Sequence, residues 1–124
     1  MDANEGNLFW KEAAPILLGY SQRTREIAKR FFGSNRVISH VFCERIPLLH
    51  RFSLIMKFHT IHGFSRDELL LIALEDFADS VRNTETVLYL IPTTQKTARF
   101  VRRHRDRLET RYMIASESAQ LEKL

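Results

Sequence analysis

Apolar positions follow two different spacings along this chain. Short apolar runs rich in β-branched residues alternate with longer stretches in which apolar residues recur every three or four positions. The first spacing is typical of strands buried on both faces, and the second is typical of amphipathic helices. Five strands are predicted, at residues 15–19, 37–43, 54–61, 86–91 and 111–115.

Capping signals predict where the intervening helices begin and end. The caps are Ser21 for a helix closed by Gly33, Ser65 with Glu68 for a helix reaching Val81, and Thr93 or Thr94 for a helix reaching Leu108. Residues 47–52 predict a short helical connector, and residues 116–124 predict the start of a further helix.

Strands that alternate with helices predict βαβ crossovers, which require a parallel sheet. We therefore expect an α/β fold: a three-layer Rossmann-like open sheet of about five mainly parallel strands, with helices on both faces. Residues 14–124 form this domain, and residues 1–13 are a loose lead-in that is polar apart from Leu8, Phe9 and Trp10.

Length and composition indicate the number of domains and the cellular compartment. A chain of 124 residues fits one domain. No apolar run approaches the roughly 20 residues of a membrane span, so no membrane partner is expected. The first residues are acidic and lack an apolar signal core, and the single Cys43 cannot form an internal disulfide. These features favour a cytoplasmic location.

Charge is distributed unevenly about a net value of +4. An acidic stretch at residues 67–79 precedes a basic stretch at residues 96–107. The basic residues share a predicted helix with apolar ones, so a solvated helix face is favoured over a phosphate-binding patch. A nucleic-acid partner is therefore not expected. Strong salt-dependent binding to unrelated nucleic-acid sequences would instead favour a nucleic-acid-binding function for this helix.

Ligands of open parallel sheets bind beyond the carboxyl ends of the strands, where the strand order reverses. If the first strand is central, this crevice lies between residues 19–22 and 92–95, with residues 43–45 on the same side. A dinucleotide fingerprint needs three spaced glycines, but this loop has only Gly19, with Tyr20 and Gln22 beside it. A conventional NAD or FAD site is not predicted, whereas a weaker anion site at Ser21 and Arg23 remains open.

Other candidate chemistry is sparse. Cys43 and His40 lie three residues apart on one strand and so point to opposite faces, which favours a structural cysteine over a nucleophile. His59 and His62 have no carboxylate or thiol nearby in sequence, so no metal site is predicted. No complete catalytic set is visible.

Between Ala14 and Leu124, short segments follow one another in a distinctive order and spacing. They are PILLGYS at 15–21, VFCE at 41–44, LLHRFS at 48–53, KFH at 57–59, DELLL at 67–71, VLYLIPT at 87–93, FVRRH at 100–104 and YMI at 112–114. This succession resembles the N-terminal pre-ATP-grasp domain of ATP-grasp carboxylate–amine ligases. That group includes carbamoyl-phosphate synthase-like and D-aspartate ligase-like proteins.

The resemblance implies a part of a ligase that completes no reaction alone. ATP and Mg²⁺ belong to later catalytic domains, in this chain or another, so no cofactor and no catalytic residue is expected here. Residues 122–124 match the helix that leads into those domains. In isolation, the chain could form a homodimer through residues 116–124.

The family's first domain supplies part of the wall of the acceptor-substrate site. The matching positions here are Gly19, Tyr20, Ser21, Gln22, Glu44, Arg45, Thr93 and Thr94. Tyr20, Ser21 and Gln22 depart from the small residues expected there, which leaves the substrate open. The alternative function is a free-standing regulatory domain that binds a small molecule or anion. Measurable affinity for a metabolite without any partner would favour it.

Overall fold

A computed structural model describes residues 13–81 and 86–114, and five strands lie within those ranges. The strands are β1 (Ala13–Leu18), β2 (Ser39–Cys43), β3 (Met56–Thr60), β4 (Val87–Pro92) and β5 (Met113–Ile114). They form one sheet in the order β3-β2-β1-β4-β5, and every neighbouring pair is parallel. β1 is therefore central, which is the condition on which the predicted ligand crevice depends, and β3 lies at an edge.

Helices connect these strands and cover both faces of the sheet. They are α1 (Gln22–Asn35), α2 (Asp67–Ser80), α3 (Gln95–Arg103) and α4 (Arg105–Leu108), with a single 3₁₀ turn at Leu48–His50. Helix α1 packs on one face through Ile27, Ala28 and Phe31. Helices α2, α3 and α4 pack on the other face, against a core that includes Ile16 and Leu90. The three-layer Rossmann-like α/β fold is thus confirmed.

The predicted end of the first helix is wrong. Gly33 lies inside α1, which continues to Asn35 and ends at Arg36 in the left-handed region (φ 57°). The N–H of Arg36 bonds the carbonyl of Phe32 at 2.9 Å. Arg36 rather than Gly33 adopts the left-handed conformation that reverses the chain, and its N–H closes the last turn on the carbonyls of Phe31 and Phe32.

The predicted capping box of the second helix is also wrong. Helix α2 begins at Asp67, and its N-cap residue Arg66 makes no side-chain capping bond. The chain turns earlier, through a bond of 2.8 Å from the N–H of Arg66 to the carbonyl of Gly63. Asp67 and Glu68 place negative charge in the first turn, which favours the helix dipole.

The third predicted helix is interrupted rather than continuous. Thr94 caps α3 as predicted, but His104 leaves the helical region (φ −119°, ψ 24°) and separates α3 from α4. The break allows Leu108 to enter the core with 1% of its surface exposed. The predicted helix at 116–124 lies outside the described residues, as does the apolar triplet at 8–10 of the predicted lead-in.

Strand boundaries differ from the predictions by two residues at most. β1 begins two residues before Pro15, and β3 is limited to Met56–Thr60. In the described part of the chain, none of the helices combines the length and apolar character needed to cross a membrane.

Candidate functional site

The loops that follow β1 and β4 lie side by side at the carboxyl edge of the sheet. Leu18 is the register partner of Pro92, and the N–H of Thr93 donates to the carbonyl of Leu18 at 3.0 Å. The chain leaves β1 toward β2 and leaves β4 toward β5, so the strand order reverses here. The two loops that the sequence predicts to flank a ligand are therefore neighbours.

Threonine hydroxyls fill this point of reversal. The hydroxyl of Thr24 lies 2.8 Å from that of Thr93, which in turn lies 2.8 Å from the carbonyl oxygen of Leu18. A third hydroxyl, on Thr97, lies 3.1 Å from the same carbonyl. All three threonines are buried. The loops are thus tied to each other, and their polar groups satisfy one another instead of facing a ligand.

Gly19 is required where β1 meets this network. Its φ is +96°, a conformation that side chains disfavour. A Cβ atom at this position would lie 3.1 Å from Cγ2 of Thr94 and 3.3 Å from Oγ1 of Thr93. The glycine allows the β1 loop to approach the β4 loop closely.

An open depression of about 520 Å³ lies beside this closed point, over the carboxyl ends of β1 and β2. Three loops and the first turn of α3 form its wall. Its lining residues are Gly19, Tyr20, Cys43, Glu44, Arg45, Phe64, Ser65, Thr94, Lys96 and Thr97. The depression is wide and shallow, so a ligand held there keeps one side open.

Both signs of charge line the depression. Glu44, Arg45 and Lys96 are exposed at its wall. The N-terminus of α3 also faces it, since Thr94, Lys96 and Thr97 belong to the lining. Thr94 caps this helix by accepting a hydrogen bond from the N–H of Thr97 at 3.1 Å. A helix N-terminus with nearby cations favours an anion, and a carboxylate favours an ammonium group. The wall can therefore hold a ligand with both charges.

Tyr20 is held in place from two sides. Its hydroxyl accepts a hydrogen bond from Arg25 at 3.2 Å. Its ring lies 5.8 Å from that of Phe58 and 6.1 Å from that of His50, measured between centroids. The side chain is thus a fixed part of the wall.

Five of the eight predicted site residues line the depression, and three do not. The five are Gly19, Tyr20, Glu44, Arg45 and Thr94. Ser21 caps α1 and lies 3.3 Å from the carbonyl oxygen of Thr93, while Thr93 belongs to the buried hydroxyl network. Gln22 is the first residue of α1; its side chain is exposed and does not belong to the lining of the depression.

Sequence reasoning missed Phe64, Ser65 and Lys96. Phe64 and Ser65 follow β3, and Lys96 lies in the first turn of α3. The loops that follow parallel strands all lie at the same edge of the sheet. Phe64 and Ser65 could therefore have been predicted from their position after the third predicted strand.

Cys43 lines the depression but is poorly suited to nucleophilic chemistry. The residue is buried, and burial raises the pKa of its thiol. His40 packs with Phe77 of α2 on the opposite face of the sheet, so it cannot serve as the base. The neutral thiol therefore acts as a small apolar group.

His40 and His59 form a pair on the α2 side of the sheet. Nδ1 of His40 lies 2.9 Å from Nε2 of His59, and both rings pack against Phe42 or Phe77. Burial, with smaller contributions from His59 and Lys57, lowers the pKa of His40 to about 4. Burial and Lys57 also lower the pKa of His59. One ring donates to the other, so the accepting ring is neutral, and the lowered pKa values of both histidines keep both rings neutral at pH 7.

Arginines of the basic stretch face the acidic stretch of α2. Arg107 binds Glu75 through two bonds of 2.8 Å, and Arg103 binds Asp67 through bonds of 3.0 and 3.1 Å. His104 also contacts Asp67 at 2.8 Å. Hydrogen bonds from His104 and Arg103 hold the pKa of the Asp67 carboxyl below its usual range. Carboxylates of α2 therefore neutralise much of this helix surface.

Within residues 13–81 and 86–114, no three His, Cys, Asp or Glu side chains cluster as metal ligands. Comparison with known proteins adds no relative: no family model, curated protein or solved structure matches the chain.

Proposed function

We propose that this chain is the substrate-side domain of an ATP-grasp carboxylate–amine ligase, which holds the amine or amino-acid acceptor. The observation that carries the proposal is the open depression at the carboxyl edge of the sheet, with Glu44, Arg45 and Lys96 in its wall. The order of segments described above, from Pro15–Ser21 to Tyr112–Ile114, supports the same assignment.

The charges of the depression suit a zwitterion. The carboxylate of an amino acid pairs with Arg45, Lys96 and the N-terminus of α3, and its ammonium group pairs with Glu44. Each contact is exposed and therefore weak when this domain is alone. Closing the open side with a second domain would exclude water and strengthen each of these interactions.

The chain's part in the reaction is positioning. The catalytic domains transfer the γ-phosphoryl group of ATP to a carboxylate, which releases ADP. The acceptor amine, after losing a proton, attacks the acyl carbon of this acyl phosphate and displaces inorganic phosphate. Glu44 and Arg45 hold the acceptor against the open side, where those domains close. A fixed orientation of the amine toward the acyl carbon reduces the entropic barrier of the attack.

The test begins with the gene, read beyond Leu124 and into its neighbours for an ATP-grasp core. That core is expressed with this chain, and acceptor-dependent ADP release is measured. Glu44→Gln and Arg45→Gln are expected to raise the KM for the acceptor about tenfold and to leave the KM for ATP unchanged. Arg102→Gln, on the exposed surface of α3, is the matched control.

Two results would contradict the proposal. One is the absence of any encoded ATP-grasp core. The other is ligase turnover by such a core that proceeds equally well without this chain.

A further inference from the structure

The connector between β2 and β3, residues 44–55, presents large apolar side chains to solvent. A crossover helix usually covers the sheet at this point, but here the connector contains only the 3₁₀ turn at Leu48–His50. The side chains that we call the apolar tip are Leu48, Leu49, Phe52 and Leu54, which are 80%, 93%, 85% and 85% exposed. Exposed apolar residues that cluster in this way mark an interaction surface.

The apolar tip lies on the same side of the sheet as α1. His50 packs near Tyr20, and Tyr20 packs near Phe58, with ring centroids 6.1 and 5.8 Å apart. Tyr20 and Phe58 both pack against the core formed by α1. The outward surfaces of α1 and of the connector therefore form one continuous surface, here named the α1 face.

The α1 face concentrates the positive charge of the protein. Residues 22–60 contain eight Lys or Arg and two Asp or Glu, whereas residues 61–114 contain nine and eight. The exposed cations of the α1 face are Arg23, Lys29, Arg30, Arg36 and Arg51, whereas Arg45 lines the carboxyl-edge depression and Lys57 points to the side of His40 and His59. On the opposite face, arginines such as Arg107 and Arg111 pair with carboxylates of α2. The excess of positive charge thus lies on the same face as the apolar tip.

We propose that the α1 face binds an anionic lipid surface, with the apolar tip inserted at the interface and the cations on the headgroups. Each of the four side chains is at least 80% exposed, so each projects from the connector into solvent. A bilayer interface accepts such projections without preformed complementarity, and anionic headgroups attract the surrounding cations.

Binding to the surface of a lipid bilayer does not require a membrane-spanning segment. The hydrophobic pattern of the sequence excluded only spanning segments. The test of this lipid binding is independent of the ligase proposal, because none of the substituted residues lines the depression at the carboxyl edge of the sheet.

The experiment is flotation of the full chain with vesicles of phosphatidylcholine, alone or with one-third phosphatidylserine. The chain is expected to float with the anionic vesicles only. Leu49→Ser/Phe52→Ser and Lys29→Glu/Arg30→Glu are each expected to weaken binding about tenfold or more. The matched controls, Leu69→Ser/Ile72→Ser and Arg99→Glu/Arg102→Glu on the other side of the sheet, are expected to bind like the original chain. Circular dichroism verifies that each variant is folded.

Three results would overturn the proposal. The chain could fail to float with anionic vesicles, or it could float equally well after loss of the apolar tip. Sedimentation velocity could instead show a dimer that Leu49→Ser/Phe52→Ser dissociates, which would make a second copy the occupant of this surface.

Discussion

Thr24 and Thr93 meet hydroxyl to hydroxyl, 2.8 Å apart, at the point where the strand order of the sheet reverses. This contact joins the first turn of α1 to the residue that follows β4. Both side chains are buried, so each polar atom depends on its neighbours for hydrogen bonds. The position at which Rossmann folds hold a pyrophosphate is occupied here by the protein's own side chains.

Thr93→Val is expected to lower the free energy of unfolding by about 1–2 kcal/mol, because the isosteric change removes a buried hydroxyl and leaves its partners unsatisfied. Urea denaturation measures the effect. Thr93→Ser should retain most of the stability, and Thr110→Val, at an exposed hydroxyl, is the control. Equal losses for Thr93→Val and Thr110→Val would show that the network contributes nothing.

Two glycines provide a pair of predictions with opposite signs. Gly19→Ala is expected to destabilise the fold by about 1–2 kcal/mol, since alanine resists a positive φ and its methyl group approaches Thr94. Gly33→Ala is expected to stabilise it by about 0.5–1 kcal/mol, because Gly33 lies within α1 and a Cβ there meets no atom within 4 Å. Thermal and urea denaturation of the two variants test this, and a loss of stability in Gly33→Ala would contradict our account of α1.

The histidine pair predicts how stability depends on pH. His40 has a pKa of about 4 in the folded state, below its ordinary value of 6.5, so the unfolded chain binds protons more readily between these values. The contribution of His40 is therefore fully present above pH 6.5 and is lost as the pH falls toward 4. After allowance for partial exposure to solvent, we expect a loss of about 1–2 kcal/mol.

Urea denaturation between pH 7 and 4 tests this prediction in wild type and in His40→Phe, which retains an aromatic ring against Phe77. The variant should lose less stability than wild type as the pH falls. The exposed His62 supplies the control, His62→Gln, which should follow wild type. Identical pH profiles for wild type and His40→Phe would contradict the account of the pair.

Patterns dominated by burial were predictable from the sequence. The parallel sheet and the alternation of strands with helices follow from apolar runs such as Ile16–Leu18, because strands buried on both faces need helices on both sides of the sheet. Helix ends were less predictable. Gly33 and Ser65 carry typical terminal signals, yet the left-handed Arg36 and the turn at Gly63 mark where those helices end and begin.

Contacts between segments that are distant in sequence were the feature of the structure that the sequence predicted least well. The sequence separates Glu75 from Arg107 by 32 positions, and only the fold shows that they pair. The same holds for Thr24 and Thr93, whose hydroxyls could equally have faced a ligand. The exposure of Leu49 was also hidden, since a leucine in a short connector is usually buried by the next element of the fold.

The measurement that tests the central claim most directly is amide chemical shifts of the ¹⁵N-labelled chain during titration with the common amino acids. We predict that at least one amino acid causes saturable shifts at Gly19–Ser21, Glu44–Arg45 and Thr94–Lys96 when the ATP-grasp core is present. Saturation of the same shifts without the core would instead favour the free-standing regulatory domain. Glu44→Gln/Arg45→Gln should abolish these shifts, and inorganic phosphate should not reproduce them. Shifts that are absent from these loops at millimolar amino acid, or that phosphate alone reproduces in full, would contradict the assignment of an acceptor site to the carboxyl edge of this sheet.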